Sequence, residues 1–464
     1  MKLIPSSYGA GSLCAGLVFL AGAAMAQDFQ VIHSFNQAKG PTHPYAGLTL
    51  AADGNLYGTT RFGGSNDLGT IFRITTAGGL TTLVNFGDSP AIGARPWADL
   101  ILGDDGCLYG TTESGGSSGA GTVFKMTTNG ILTTLVSLSG NEMGGRPIGN
   151  LAKSSAGDFY GTTRDGGPYG GVAFKLATNG AFAVIVRFND TYTNGAFPEA
   201  GLTFGPDGNL YGTASSGGDF WGNGTVFRMT TNGELTALVV FAAPSGSNPR
   251  AGLALGPDGS FYGTTHFGGI GGGTVFKVTT NSSLTYLVSF GGTNGANPTA
   301  GLLLGPDGDF YGTTCYGGSG GKGTVFKITT NGLLTTLVNF DGTNGDYPLA
   351  KLTLGADGSL YGTACNGGSG GRGVIYRLGL PPTIIGQPYI RSISQNPDRT
   401  ITLSLVGTPG STNRLWATTN CSLPIFQWEL RATLVASNGV FQFRDEITNP
   451  SAKFYRLSMP VEEF

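Results

Sequence analysis

Residues 305–314 read Gly-Pro-Asp-Gly-Asp-Phe-Tyr-Gly-Thr-Thr, a turn running straight into a strand. Pro presets φ, Asp bonds its own backbone and Gly accepts positive φ, so Gly305-Pro-Asp-Gly308 reverses the chain into Phe310-Tyr-Gly-Thr-Thr314. The block recurs. Tyr-Gly-Thr-Thr, or Tyr-Gly-Thr-Ala, opens at Tyr57, Tyr109, Tyr160, Tyr211, Tyr262, Tyr311 and Tyr361, at spacings of 52, 51, 51, 51, 49 and 50 residues. A fixed period of this size marks a repeat architecture, in which each copy buries its faces on its neighbours.

One copy shows what repeats. Leu284-Thr-Tyr-Leu-Val-Ser-Phe290 is a strand, and a Gly-rich loop ending at Pro298 leads to Ala300-Gly-Leu-Leu-Leu304. The turn and Phe310-Tyr-Gly-Thr-Thr314 follow, then a second Gly-rich loop, Thr324-Val-Phe-Lys-Ile-Thr329, and a Thr330-Asn-Gly332 turn into the next copy. Four short strands per copy predict an antiparallel blade, and seven copies predict a seven-bladed β-propeller. Strands apolar at consecutive positions fit blades covered on both faces. The 82 Gly and 23 Pro of the 464 residues fall at fixed offsets, so they punctuate turns rather than signal low complexity.

The ends of the array favour closure. The last copy stops at Gly373-Val-Ile-Tyr-Arg-Leu378 without its outer strand, and Phe29-Gln-Val-Ile-His-Ser-Phe35 ahead of the first copy matches the missing one. The N-terminal strand is therefore expected to complete the last blade, which removes the strand edges of an open array.

Met1–Ala26 reads as a secretory signal, with Lys2, an apolar core and Ala24-Met-Ala26 as cleavage site, so the expected compartment is secreted, periplasmic or cell-surface. The apolar run is short for a membrane span, and no transmembrane segment is expected in the mature chain. Of the mature cysteines, Cys107, Cys315, Cys365 and Cys421, two share an offset in adjacent copies. Equivalent points on neighbouring blades should lie roughly 10 Å apart, beyond the ~4.4–6.8 Å that a disulfide spans. Free thiols are therefore the stronger reading for Cys315 and Cys365.

After the Pro-marked linker at 380–388, residues 389–464 change character. Five or six strands are expected there, among them Arg399-Thr-Ile-Thr-Leu-Ser-Leu405 and Asn413-Arg-Leu-Trp-Ala-Thr418, which suits a small immunoglobulin- or fibronectin-like β-sandwich with Trp416 and Trp428 in its core. A net charge of −2 without basic runs gives no electrostatic footprint for nucleic acid.

The pattern Asp-Gly-x-Leu/Phe-Tyr-Gly-Thr-Thr, then Gly-Gly, then Gly-Thr-Val-Phe-Lys, resembles the GloVer tandem-repeat family of secreted bacterial proteins over residues 29–378. Blade three departs most, with Ala156-Gly-Asp158 at the turn. The resemblance implies an extracytoplasmic protein with a C-terminal sorting module and no established activity. The Val461-Glu-Glu-Phe464 end lacks an apolar tail and basic stop, so a membrane-type sorting anchor is not expected. Trp428 and Phe454-Tyr-Arg456 are similar to the small β-domains that end many secreted proteins of such bacteria.

Residues present in every copy read as scaffold. The cation after the third-strand aromatic (Arg73, Lys125, Lys175, Arg228, Lys277, Lys327, Arg377) is expected to snorkel or to pair with a neighbouring blade rather than to form an anion-binding ring. The turn Asp is expected to cap its own turn. Function then falls to what varies. Two loop sets should share one face: the loop ending at the repeated Pro and the loop after Tyr-Gly-Thr-Thr. There the residue after Pro is Tyr45, Trp97, Ile148, Glu199, Arg250, Thr299 or Leu349, and Asp99, Asn150 and Lys351 replace Gly two places on. Four places after the repeated Tyr stand Arg61, Glu113, Arg164, Ser215, His266, Cys315 and Cys365.

This mixture suits a carbohydrate or protein ligand, while drift on a solvated rim would look the same. Trp97, between Arg95 and Asp99, is the leading candidate for stacking on a sugar. Tyr45, Arg61, Asp99, Glu113, Arg164, Glu199, Arg250 and His266 complete the candidate ligand-binding set. With His33, His43 and His266 as the three histidines, no metal site is expected, and no cofactor motif survives inspection. Gly318-Ser-Gly-Gly-Lys-Gly323 precedes a strand, not a helix, so its match to a phosphate loop fails. A binding or scaffold propeller is the first reading. A polysaccharide hydrolase or lyase using Asp99 with Glu113 is the alternative.

Overall fold

A computed structural model describes residues 28–380, apart from 38, 88, 168–169, 178, 189–192 and 243–245, and six strands beyond 380. Seven four-stranded antiparallel sheets follow one another along the chain. Blade 6 is typical: Leu303–Leu304 innermost, then Phe310–Thr314, Thr324–Ile328 and Leu334–Asn339 outermost. Apart from one 3-10 turn at Pro90–Ile92, the described residues hold no helix.

Blade 7 confirms the closure. Its sheet runs Thr353–Leu354, Leu360–Ala364, Val374–Leu378 and then Phe29–Ser34, with Phe29 opposite Leu378 and Ser34 opposite Val374. Arg377 fixes this seam, reaching Asp28 at 2.8 Å and Asp357 at 3.1 Å. Blade 7 also grips blade 1 directly, because the Thr363 hydroxyl donates to the Ala46 carbonyl at 2.9 Å.

The core lies between blades, not within them. Leu100, Leu108, Phe124 and Met126 of blade 2 pack on Ala51, Tyr57, Ile71 and Phe86 of blade 1, and Phe35 and Ile375 of blade 7 meet Leu56 and Phe72 of blade 1. Every second strand is buried at all five positions, as the consecutive apolar pattern requires. The motif Gly is demanded by this packing. A Cβ at Gly212 would stand 2.6 Å from the Phe227 ring and 2.9 Å from Leu202.

The turn Asp caps its own turn, as expected: Asp105 Oδ1 accepts from the Cys107 amide at 3.1 Å. One expectation is corrected. Lys125, Lys175, Lys277, Lys327 and Arg377 pair within their own blade rather than with a neighbour, for instance Lys125 with Asp105 at 2.6 Å and Lys277 with Asp258 at 2.7 Å. The paired strands place both groups at one end of the blade, since Lys125 lies opposite Tyr109, whose hydroxyl also reaches Asp105.

Cys315 and Cys365 are buried free thiols. Beyond 380, Tyr389–Gln395, Thr400–Val406 and Val440–Glu446 form one three-stranded sheet, and Glu429–Val435, Thr412–Thr418 and Phe454–Ser458 form another. The expected strands are present, with Tyr389–Gln395 in addition. Residues 1–27, which hold the segment read as a signal, residues 381–388, Cys421, Trp428, the Trp416 side chain and residues 459–464 lie outside the described set.

Candidate functional site

The two variable loop sets do share a face. Isolated bridges join them in six blades, for instance Ala94 with Ser114, Ala196 with Ser216 and Asp346 with Asn366. At the junction the residue before each repeated Pro is left-handed: His43, Arg95, Arg146, Phe197, Asn248, Asn297 and Tyr347, with φ from 52° to 62°. Non-glycine residues disfavour this region, and a following Pro pushes the backbone toward extended conformations. Two backbone hydrogen bonds hold the geometry. The Arg95 amide donates to Leu68 O of the preceding blade at 2.7 Å, while its carbonyl accepts from the Glu113 amide of its own blade at 3.1 Å. The other six copies repeat the pattern, so the strained residue stitches adjacent blades together.

Blades 1 to 5 carry charges that neutralise one another on this face. Arg61 lies 4.4 Å above the Trp97 ring, 4.9 Å from Phe62 and 5.3 Å from Tyr45, and Tyr45 and Trp97 sit 4.8 Å apart. The same guanidinium donates to Glu113 Oε2 at 3.0 Å, whose other oxygen takes Arg146 at 2.8 Å. Glu199 is shared between Arg164 at 2.9 Å and Arg250 at 3.7 Å. His266 packs against Phe267 at 4.4 Å, and burial, helped by the Arg250 charge, lowers its pKa to about 4.

Asp99 lies deeper, in an axial cavity of about 90 Å³ that Tyr45, Trp97, Asn150, Glu199, Arg250 and Lys351 also line. Its carboxylate accepts from the Gly47 amide at 2.5 Å and from Asn150 Nδ2 at 2.7 Å. Burial raises its pKa against the pull of these donors and of Lys351. Specific small-molecule pockets usually measure about 300–1,000 Å³. The axis is too narrow for a sugar ring.

Blades 4 to 6 present aromatic and aliphatic side chains instead. Phe220 and Trp221 are 91% and 80% exposed and form an edge-on pair at 5.6 Å, Phe267 and Ile270 stand in the equivalent loop of blade 5, and Tyr316 in that of blade 6 is 48% exposed. Tyr316 meets Tyr347 at 5.0 Å beside an open pocket of about 370 Å³ that Lys322, Asp346 and Asn366 complete. Lys322 and Asp346 pair there at 3.1 Å.

In sequence, the Gloeobacter/Verrucomicrobia repeat matches residues 6–222 and 203–389, which span the whole propeller. The chain belongs to the Gloeobacter/Verrucomicrobia repeat family. No characterised protein matches this family member in sequence. Solved structures resemble it at low identity. A gluconolactonase from Xanthomonas campestris is 13% identical with a TM-score of 0.40, over 76% of this chain and 90% of that one. The extracellular domain assigned to a one-component system of B. thetaiotaomicron is 11% identical with a TM-score of 0.48, over 88% and 55%. Puromycin hydrolase is 15% identical with a TM-score of 0.48, over 81% and 60%.

Of the nine residues expected from sequence, Tyr45, Trp97, Arg61 and Glu113 form one cluster, and Arg164, Glu199 and Arg250 a second. Asp99 is held below them on the axis, and His266 lies within the field of Arg250. Two groups were missed in this repeat protein. The pre-Pro position varies as much as its neighbours, and that variation is visible in the sequence. Phe220-Trp221 interrupts an otherwise glycine-rich loop, Gly217-Gly-Asp-Phe-Trp-Gly222, an available signal of an exposed pair.

Proposed function

We propose that this chain is a secreted repeat propeller whose loop face binds an extracellular ligand, carbohydrate first and protein second. The observation that carries the reading is the series of exposed rings Phe220, Trp221, Phe267 and Tyr316, beside a sector where Arg61, Glu113, Arg146, Arg164 and Glu199 are paired with one another or with Arg250. Exposed flat rings receive the C–H face of a sugar, and Asp219, Asn223, Lys322 and Asp346 in the same loops can bond hydroxyls. The rings stand in separate loops divided by glycines, which suits successive sugar units better than one continuous protein patch. Arg61 covers Trp97, so the stacking role goes first to Trp221, with Arg61, Glu113, Arg164, Glu199 and Arg250 as the charged rim beside it and Tyr45, Trp97, Asp99 and His266 completing the candidate set. Glu113 is clamped by two arginines and Asp99 by an amide and Asn150, an arrangement that favours binding over hydrolysis or lyase chemistry.

The same reading takes Met1–Ala26 as a cleaved signal, 27–379 as the propeller, 380–388 as a linker and 389–464 as a small β-sandwich. Among the described residues no helix is long and apolar enough to cross a membrane. Glycan-array binding by the purified mature chain, with turnover assayed on every hit, tests the proposal. Binding without turnover is expected. Cleavage of a bound polysaccharide would move the protein to the enzyme reading, and an empty array would remove carbohydrate and leave a protein ligand.

A further inference from the structure

The residues three places after each repeated Pro are Gly47, Asp99, Asn150, Gly201, Gly252, Gly301 and Lys351, and they meet one another around the axis. A Cβ on Gly47 would touch Lys351 O at 2.6 Å, on Gly201 Asn150 O at 2.7 Å, and on Gly301 Gly252 O at 3.2 Å. Each residue thus packs on its counterpart in the preceding blade. Its amide faces the other way. The Gly47 N–H donates to Asp99 Oδ1 at 2.5 Å, and the Asp99 N–H to Asn150 Oδ1 at 2.8 Å, so each amide meets the side chain of the following blade.

Around the rest of the ring this partner is missing. The next residue of the ring is Gly after Asn150, Gly201 and Gly252, Lys351 after Gly301, and Gly47 after Lys351. None of the described residues accepts from these five amides. Lys351 is half-buried, and no carboxylate of the described residues is in ion-pair contact with its ammonium. Asp99 sits on the far side of Gly47, already engaged by two donors. One arc of the ring therefore lines the cavity with half-buried donors that no acceptor of the described residues engages.

We propose that this arc binds a small anion, of chloride, formate or acetate size, between the Lys351 ammonium and the amides of Gly252 and Gly301. The cavity of about 90 Å³ admits such an ion together with part of its water shell. Burial lowers the Lys351 pKa against the pull of the Asp99 charge, and a bound anion would oppose burial further. The inference stands apart from the ligand of the loop face.

The test titrates sodium chloride, formate and acetate into the full mature chain in a buffer of bulky zwitterions, by calorimetry and by thermal unfolding. Lys351→Gly installs the residue that four other blades carry, and Lys351→Met keeps the volume without the charge. One saturable site with a Tm that climbs with anion concentration is expected for the wild type, at least about ten-fold weaker in both variants. If Lys351→Gly does not fold, Lys351→Met carries the comparison. No saturable binding in the wild type, or a salt effect of equal size in all three proteins, overturns the proposal.

Discussion

In the repeated block, Asp105 accepts the Tyr109 hydroxyl at 2.9 Å and the Lys125 ammonium at 2.6 Å, so one carboxylate caps the turn, anchors the Tyr and neutralises the cation. Burial would raise its pKa, but these donors outweigh burial and hold it down at about 2. Asp53, Asp207, Asp258, Asp307 and Asp357 are lowered likewise. A carboxyl with a folded pKa below its unfolded one contributes stability above about 3.8, and that contribution is lost as pH falls through the folded value. His266 acts earlier. With a folded pKa of about 4 against 6.5, the unfolded chain takes the proton first, so its contribution is lost between those values as pH falls. Unfolding free energy followed from pH 8 to pH 2 should decline in two stages. Burial lowers His33 and His43 too, so His266→Gln should reduce the first stage rather than abolish it, by on the order of 1–2 kcal/mol for a ring partly screened by solvent, and a profile unchanged by this variant would refute the assignment. Gly212→Ala tests the packing: its methyl meets Phe227 and Leu202, and denaturant unfolding should show a loss of roughly 1–3 kcal/mol. The sequence marked Asp, Tyr and Gly as structural through their repetition. It could not identify the partner of the cation, because a shared period looks the same whether two side chains meet within a blade or across two.

The outer strand of blade 7 comes from the opposite end of the chain, and its absence would uncover Val374–Leu378 and the Phe35 contact with Phe72. Deleting residues 27–36 should lower the thermal midpoint far more than an ordinary terminal trim. An unchanged midpoint would contradict closure. The loop junctions make a second prediction at this scale. Arg95 is left-handed before Pro96, and its side chain touches little beyond Phe62 at 6.0 Å. Arg95→Gly should be neutral or mildly stabilising, whereas Arg95→Val should cost about 1–3 kcal/mol in denaturant unfolding, because a β-branched residue resists positive φ. Closure was legible because a strand missing at one end stood at the other. The left-handed junction was not. The residue preceding a Pro ordinarily reads as extended, and only hydrogen bonds from two blades, which no local pattern contains, overrule that preference here.

At the scale of the whole propeller, seven four-stranded blades give a repeated frame, and its loop face divides into a charge-paired sector on blades 1 to 5 and an aromatic sector on blades 4 to 6. The sequence located the varying positions and thereby this face. It did not distinguish the rings that are covered from those that are free, since Trp97 gains its Arg61 cover from a residue 36 positions away in the chain. The measurement that bears most directly on the proposed function compares two tryptophans, with affinity for an array-identified glycan and thermal midpoint recorded for each variant. Trp221→Ala should weaken binding at least about ten-fold, because a stacked ring contributes 1 kcal/mol or more, with the midpoint unchanged. Trp97→Ala should lower the midpoint by several degrees and leave most of the affinity. Full affinity in Trp221→Ala, with binding lost in Trp97→Ala at an unchanged midpoint, would place the ligand at the channel mouth and contradict the account.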